Sequence, residues 1–193
     1  MKKHKRKILI ILAVTALAAV LGLVGYRHLQ NAPRIRRAQE LVGRLQQLLP
    51  PIRQGVWDDR DDMDMPVLQV DGENLCAWLQ VPDFDCDLPV NSTWKTRDLS
   101  SLPCRYYGSI YDGSLVIGGT QRKGQLDFCD RIDTGHKVFI TDMTGARYTY
   151  TVAIVERLGS VSAQILMDEE YDLTLYVKDS KNDLYILVRC VMT

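Results

Sequence analysis

The sequence predicts a mainly-β domain that closes into a barrel and is carried outside a membrane on one N-terminal helix. Three observations carry that reading. Short apolar runs alternate with turn residues from Val67 to the C-terminus. One uncharged stretch near the N-terminus is long enough to cross a bilayer. Charge is divided sharply between the two ends of the chain, although its formal sum is +0.

Residues 1–7 form a basic tail, with Lys2, Lys3, Lys5, Arg6 and Lys7. Residues 8–26 follow without a charge, and at ~1.5 Å per residue they span roughly the ~30 Å of a hydrocarbon core. The cations in front place the N-terminus in the cytoplasm and the rest of the chain outside it, as a single-pass membrane protein. A cleaved signal peptide fits less well, because Gly22–Arg27 offers no good small-x-small cleavage site. Residues 27–66 hold an amphipathic helix and an acidic linker. Ile35, Ala38, Leu41, Val42, Leu45, Leu48 and Leu49 recur at helical spacing, and Pro50-Pro51 stops the helix. This helix either lifts the external domain off the bilayer or packs on it. The run Asp58–Asp64 lacks the spacing and glycine of a calcium loop and reads as a solvated linker.

Residues 67–193 form the barrel domain. The strand-like runs are Ala77–Val81, Phe84–Val90, Ser114–Ile117, Lys137–Thr141, Arg147–Val155, Leu173–Val177 and Leu184–Val191. Met143-Thr144-Gly145 and Asp179–Asp183 read as hairpin turns, and Leu126–Ile132 as a short helix. From Asp58 onward 13 Lys and Arg face 23 Asp and Glu, a net charge of −10. Such a domain repels phosphate backbones, which excludes nucleic acid as a partner. The five cysteines, Cys76, Cys86, Cys104, Cys129 and Cys190, include no CxxC, and His136 is the only histidine among them. No metal or cofactor is expected. Most of these thiols read as small buried hydrophobes, with one disulfide open in an oxidising compartment. The odd count leaves at least one thiol free or paired between chains. Ala18 and Gly22 are too common a pair to fix an oligomeric state.

Asn74-Leu75-Cys76-Ala77-Trp78-Leu79-Gln80-Val81, then Phe84–Val90, resembles the opening of a sortase, in particular of class B. Tyr107-Gly108-Ser109-Ile110-Tyr111-Asp112 resembles the family's Gly-Ser-Ile-Phe-x-Asp segment. Leu115-Val116-Ile117-Gly118-Gly119 resembles the strand that leads into its Gly-His. Phe128, Gly135–Val138, Gly145–Val152 and Leu173-Thr174-Leu175 are similar to later family segments and fall in the family's order. The resemblance implies an eight-stranded barrel. It also implies a Cys nucleophile, a His for proton transfer and an Arg for the oxyanion, on three neighbouring strands.

On this alignment Thr120 stands where the His belongs, Lys178 where the Cys belongs and Leu184 where the Arg belongs. No catalytic residue is therefore assigned. The expectation is a sortase-like pseudoenzyme that binds a peptide or surface-protein partner. The alternative is a divergent transpeptidase that uses Cys129 or Cys190. A Thr120/Lys178 pair would need a buried, neutral lysine, and the competing reading is a solvated lysine beside Asp179. Arg189 lies an odd number of places from Leu184 and so on the opposite face. His136 reads as a loop residue. A third reading is a structural domain whose resemblance is coincidental β patterning.

Overall fold

The computed structural model describes residues 15, 17–20, 22, 33–56, 64–94, 102–179 and 182–193. Most of the stretch 8–26 and of the acidic run 58–64 lies outside these residues. Among the described residues no helix is long and apolar enough to cross a membrane.

Among the described residues ten strands form one sheet: β1 Arg53–Gln54, β2 Leu68–Val70, β3 Glu73–Val81, β4 Cys86–Asn91, β5 Cys104–Tyr107, β6 Leu115–Thr120, β7 Lys137–Asp142, β8 Ala146–Leu158, β9 Leu173–Asp179 and β10 Leu184–Met192. Eight of them close a ring in the order β3-β4-β5-β6-β9-β10-β8-β7, because β7 pairs with both β8 and β3. Closure removes the exposed edges that an open sheet of this size would carry. β1 adds to β8 and β2 to β3 outside the ring.

Local chemistry explains each turn. Asp71 and Gly72 both take positive φ (48° and 86°), the geometry of a two-residue hairpin, and join β2 to β3. After β3, Pro82–Phe84 form one 3-10 turn, and Asp85 reverses the chain in the left-handed region. The β7–β8 hairpin is organised by Asp142, whose Oδ1 accepts from the amides of Thr144 (2.8 Å) and Ala146 (2.9 Å). The Tyr111 hydroxyl donates to Oδ2 of the same carboxylate at 2.7 Å, so this fully buried acid has a partner on each oxygen.

Residues 33–48 form a helix, α1. Its Ala38, Leu41, Val42 and Leu45 belong to the same core as Leu75, Ile140, Leu175 and Val188 of the barrel. Ile35 seats against Gly124, whose positive φ and missing Cβ allow the approach. Arg37 donates to the Asp71 carbonyl at 2.8 Å. The amphipathic helix thus packs on the barrel, and the hydrophobic core runs across the division at residues 66 and 67.

Candidate functional site

Strands β6, β9 and β10 lie side by side, with Thr120 of β6 paired to Lys178 of β9. Across the next pair, Lys178 faces Tyr185 and Asp179 faces Leu184. Strand alternation then separates the three residues singled out from the sequence. Ile186, Val188 and Cys190 share Leu184's register and belong to the barrel core. Tyr176, Tyr185 and Leu187 share the register of Lys178 and pack in a second cluster on the outer face. Thr120 and Lys178 therefore come together on the outside. Leu184 does not join them, and Tyr185 is the β10 residue beside Lys178. Face follows from pairing register across the turn, which alignment of one strand does not reveal.

The chemistry at this strand end is spent. The backbone amide and the hydroxyl of Thr120 both donate to Gln125 Oε1, at 2.5 Å each. Lys178 is exposed and pairs with Asp183 Oδ1 at 2.9 Å; its Nζ also lies 5.6 Å from the centroid of the Tyr185 ring. The hydrogen bond and charge of Asp183 push its pKa above the ordinary lysine value. A lysine held in its charged form is no general base, which removes the Thr/Lys pair. Its partner is Asp183, while Asp179 accepts instead from Asn182 at 2.6 Å.

The outer face beside Thr120 is filled. A Cβ at Gly118 would stand 2.5 Å from the rings of both Trp94 and Tyr176, so those rings lie on the bare backbone of β6. They stack with centroids 5.7 Å apart, and Tyr106 meets Trp94 edge-on at 5.1 Å. Further along, Leu166 of the short helix α2 (Ala163–Leu166) buries Val116 and Leu187.

Arg189 is on this same outer face and is 2% exposed. Its Nε donates to Glu156 Oε2 at 2.9 Å, Nη1 to the Thr174 hydroxyl at 3.1 Å and Nη2 to the Ile165 carbonyl at 2.5 Å. It is opposite in face to Leu184, as strand alternation predicts, but it shares the face of Lys178 and clamps α2 onto the barrel. His136 lies at the start of β7, away from β6, β9 and β10. Its Nδ1 is 2.8 Å from the Asp133 carbonyl and its ring packs on Phe84.

Cys76, Cys86, Cys129 and Cys190 are free thiols, and none of the five cysteines lies at the Thr120–Lys178 strand end. Burial pushes the Cys76 thiol up to about 12, and raises Cys86, Cys129 and Cys190 as well. A nucleophilic thiol needs the reverse shift. The folded protein is therefore expected to react with iodoacetamide at pH 8 far more slowly than the unfolded chain, at each of these four sites. Linkage gives a second readout. Well below pH ~8.5 these thiols are protonated in both states. Above it the unfolded chain releases protons that the fold retains. Stability then falls as pH rises towards 12, by up to ~1.4 kcal/mol per unit for each thiol. A fast-alkylating Cys129 or Cys190 would contradict this.

No protein-family model matches the chain, and no curated protein is similar to it in sequence. Solved structures are similar in fold. Sortase A from Corynebacterium diphtheriae superposes with a TM-score of 0.55 at 20% identity, over 63% of this chain and 61% of that one. Sortase C from Clostridium perfringens gives 0.51 at 15% identity, over 62% and 70%. Sortase C1 from Streptococcus agalactiae gives 0.54 at 15% identity, over 62% and 69%. The chain thus spans less than two thirds of the sortase A it matches, and what it shares with these proteins is the eight-stranded sortase barrel.

Proposed function

We propose that this protein is a membrane-anchored, extracytoplasmic sortase-fold module that acts by binding and not by transpeptidation. One observation carries the reading: the strand end where the family resemblance places its reactive groups holds a hydrogen-bonded Thr120 and an ion-paired Lys178. Of the four thiols held protonated, Cys76, Cys129 and Cys190 are buried and Cys86 is half-buried, which supports the same reading. A fold carries no chemistry without its site. The uncharged stretch 8–26 behind a basic tail supports anchoring by a single helix, with the acidic barrel outside. The Trp-Leu strand and the Gly-Ser-Ile segment support kinship with class B within the fold.

The test incubates the full chain in detergent micelles with a fluorogenic sorting-signal peptide and an amine acceptor. No cleavage, no acyl-enzyme trapped by hydroxylamine and no loss on thiol alkylation are expected. Turnover abolished by mutating any one cysteine would establish a divergent transpeptidase instead.

A further inference from the structure

Beside the filled face lies an open cleft of about 510 Å³, lined among others by Asp64, Trp94, Arg105, Tyr106, Tyr107 and Asp112. Its aromatics converge because of a register shift between Arg105 and Tyr107 in the β5–β6 pairing. An extra residue in a strand re-aims its neighbours, so consecutive tyrosines line one cleft where regular alternation would part them. Tyr107 is 45% exposed, the only aromatic ring among the exposed large hydrophobics of the described residues.

We propose that this cleft binds a neutral saccharide, an inference that rests on the binding-module reading and names its ligand class. A pyranose presents a C–H face for ring stacking and a rim of hydroxyls for hydrogen bonding. The cleft offers the complement. Trp94, Tyr106 and Tyr107 supply ring surface, while Asp64, Asp112 and the hydroxyl of Tyr107 supply polar rim groups. Asp112 takes its hydrogen bonds from Ser109 and Ser114 on Oδ1. Charge decides against other classes. Two carboxylates repel a phosphate-bearing ligand. Arg105 donates Nε to the Ser92 carbonyl (3.3 Å) and Nη1 to that of Gly108 (3.4 Å), and as one cation against two carboxylates it leaves the cleft net negative. A lining this polar does not suit an acyl chain. The volume falls in the ~300–1,000 Å³ range of small-molecule sites and admits two or three sugar rings.

The probe is tri-N-acetylchitotriose, titrated into the full chain in micelles by calorimetry and by saturation-transfer NMR. Saturable binding is expected, with transfer strongest to the sugar ring C–H protons. Tyr107→Ala weakens it by about tenfold or more, while Tyr107→Phe stays within about threefold because the ring remains. Gln164→Ala, on the exposed side of α2, leaves it unchanged. No saturation, or a Tyr107→Ala variant that binds like the unaltered protein, overturns the proposal. A parallel titration with an uncleaved sorting-signal peptide separates the two readings. Peptide binding without sugar binding removes the saccharide and keeps the module. Peptide cleavage removes the module, and the sugar titration still decides the cleft.

Discussion

Replacing Leu45 by Ala will destabilise the barrel by ~2–5 kcal/mol, the range for emptying a fully packed leucine site. Leu45 and Leu41 are 0% exposed and share a core with strand residues from around the ring. The stretch joining α1 to the sheet is also tied down: Arg53 and Gly55 donate to the carbonyls of Gly145 and Arg147 at 3.0 and 2.7 Å. Leu48, one turn fraction further on the same helix, is 57% exposed, and Leu48→Ala should change stability by under ~0.5 kcal/mol. Urea denaturation of the full chain in micelles, followed by near-ultraviolet circular dichroism, reads both. A helix that served only as a stalk would leave the barrel transition in place for either variant. A large shift for Leu45→Ala alone makes residues 33–48 part of the folding unit.

The strands most legible in the sequence are those whose alternation is intact. β8 runs for thirteen residues with inward and outward positions exchanging regularly through Ala146–Val152, and its apolar residues mark that period. β5 is illegible for the opposite reason. It has four residues, carries a register shift, and offers two adjacent tyrosines in place of alternation. The β2–β3 hairpin had a usable signal in Asp71-Gly72, the commonest kind of two-residue turn pair, but β2 itself is only three residues long. Amphipathicity located α1 and its buried stripe but not what the stripe packs against.

The candidate site was partly legible. Three adjacent strands with Thr120 and Lys178 at one end are what the sortase resemblance implies, and Thr120 does pair with Lys178. That Leu184 faces inward and Tyr185 takes its place depends on which residue opposes which across the β9–β10 turn. That is a long-range fact. The same holds for Trp94, a lone aromatic in a connection, whose partner is a glycine on another strand. Gly118 was the available hint, since a glycine inside a strand often marks close approach by another group.

Arg189→Met will cost about 3 kcal/mol, near the lower end of the ~3–5 kcal/mol range for breaking a buried ion pair. The discount comes from Glu156, whose side chain is 33% exposed and regains water when its partner is lost. What remains is the loss of three charge-assisted hydrogen bonds from one guanidinium, and of its contact with the Tyr171 ring at 5.3 Å. Those bonds reach β8, β9 and the carbonyl of Ile165 in α2, so the substitution also releases the segment that buries Val116 and Leu187. Amide exchange across residues 159–172 should therefore quicken more than exchange in β7. Arg189→Lys rescues little, because one ammonium cannot address three acceptors set in a fork. Glu156→Gln should cost only ~1 kcal/mol, since it removes one partner and leaves the others bonded. In the double variant Arg189→Met/Glu156→Leu the cost should fall below the sum of the single changes, as it does for residues in one network. An Arg189→Met protein within ~0.5 kcal/mol of the unaltered one, with exchange in 159–172 unmoved, would show that packing alone holds α2 on the barrel.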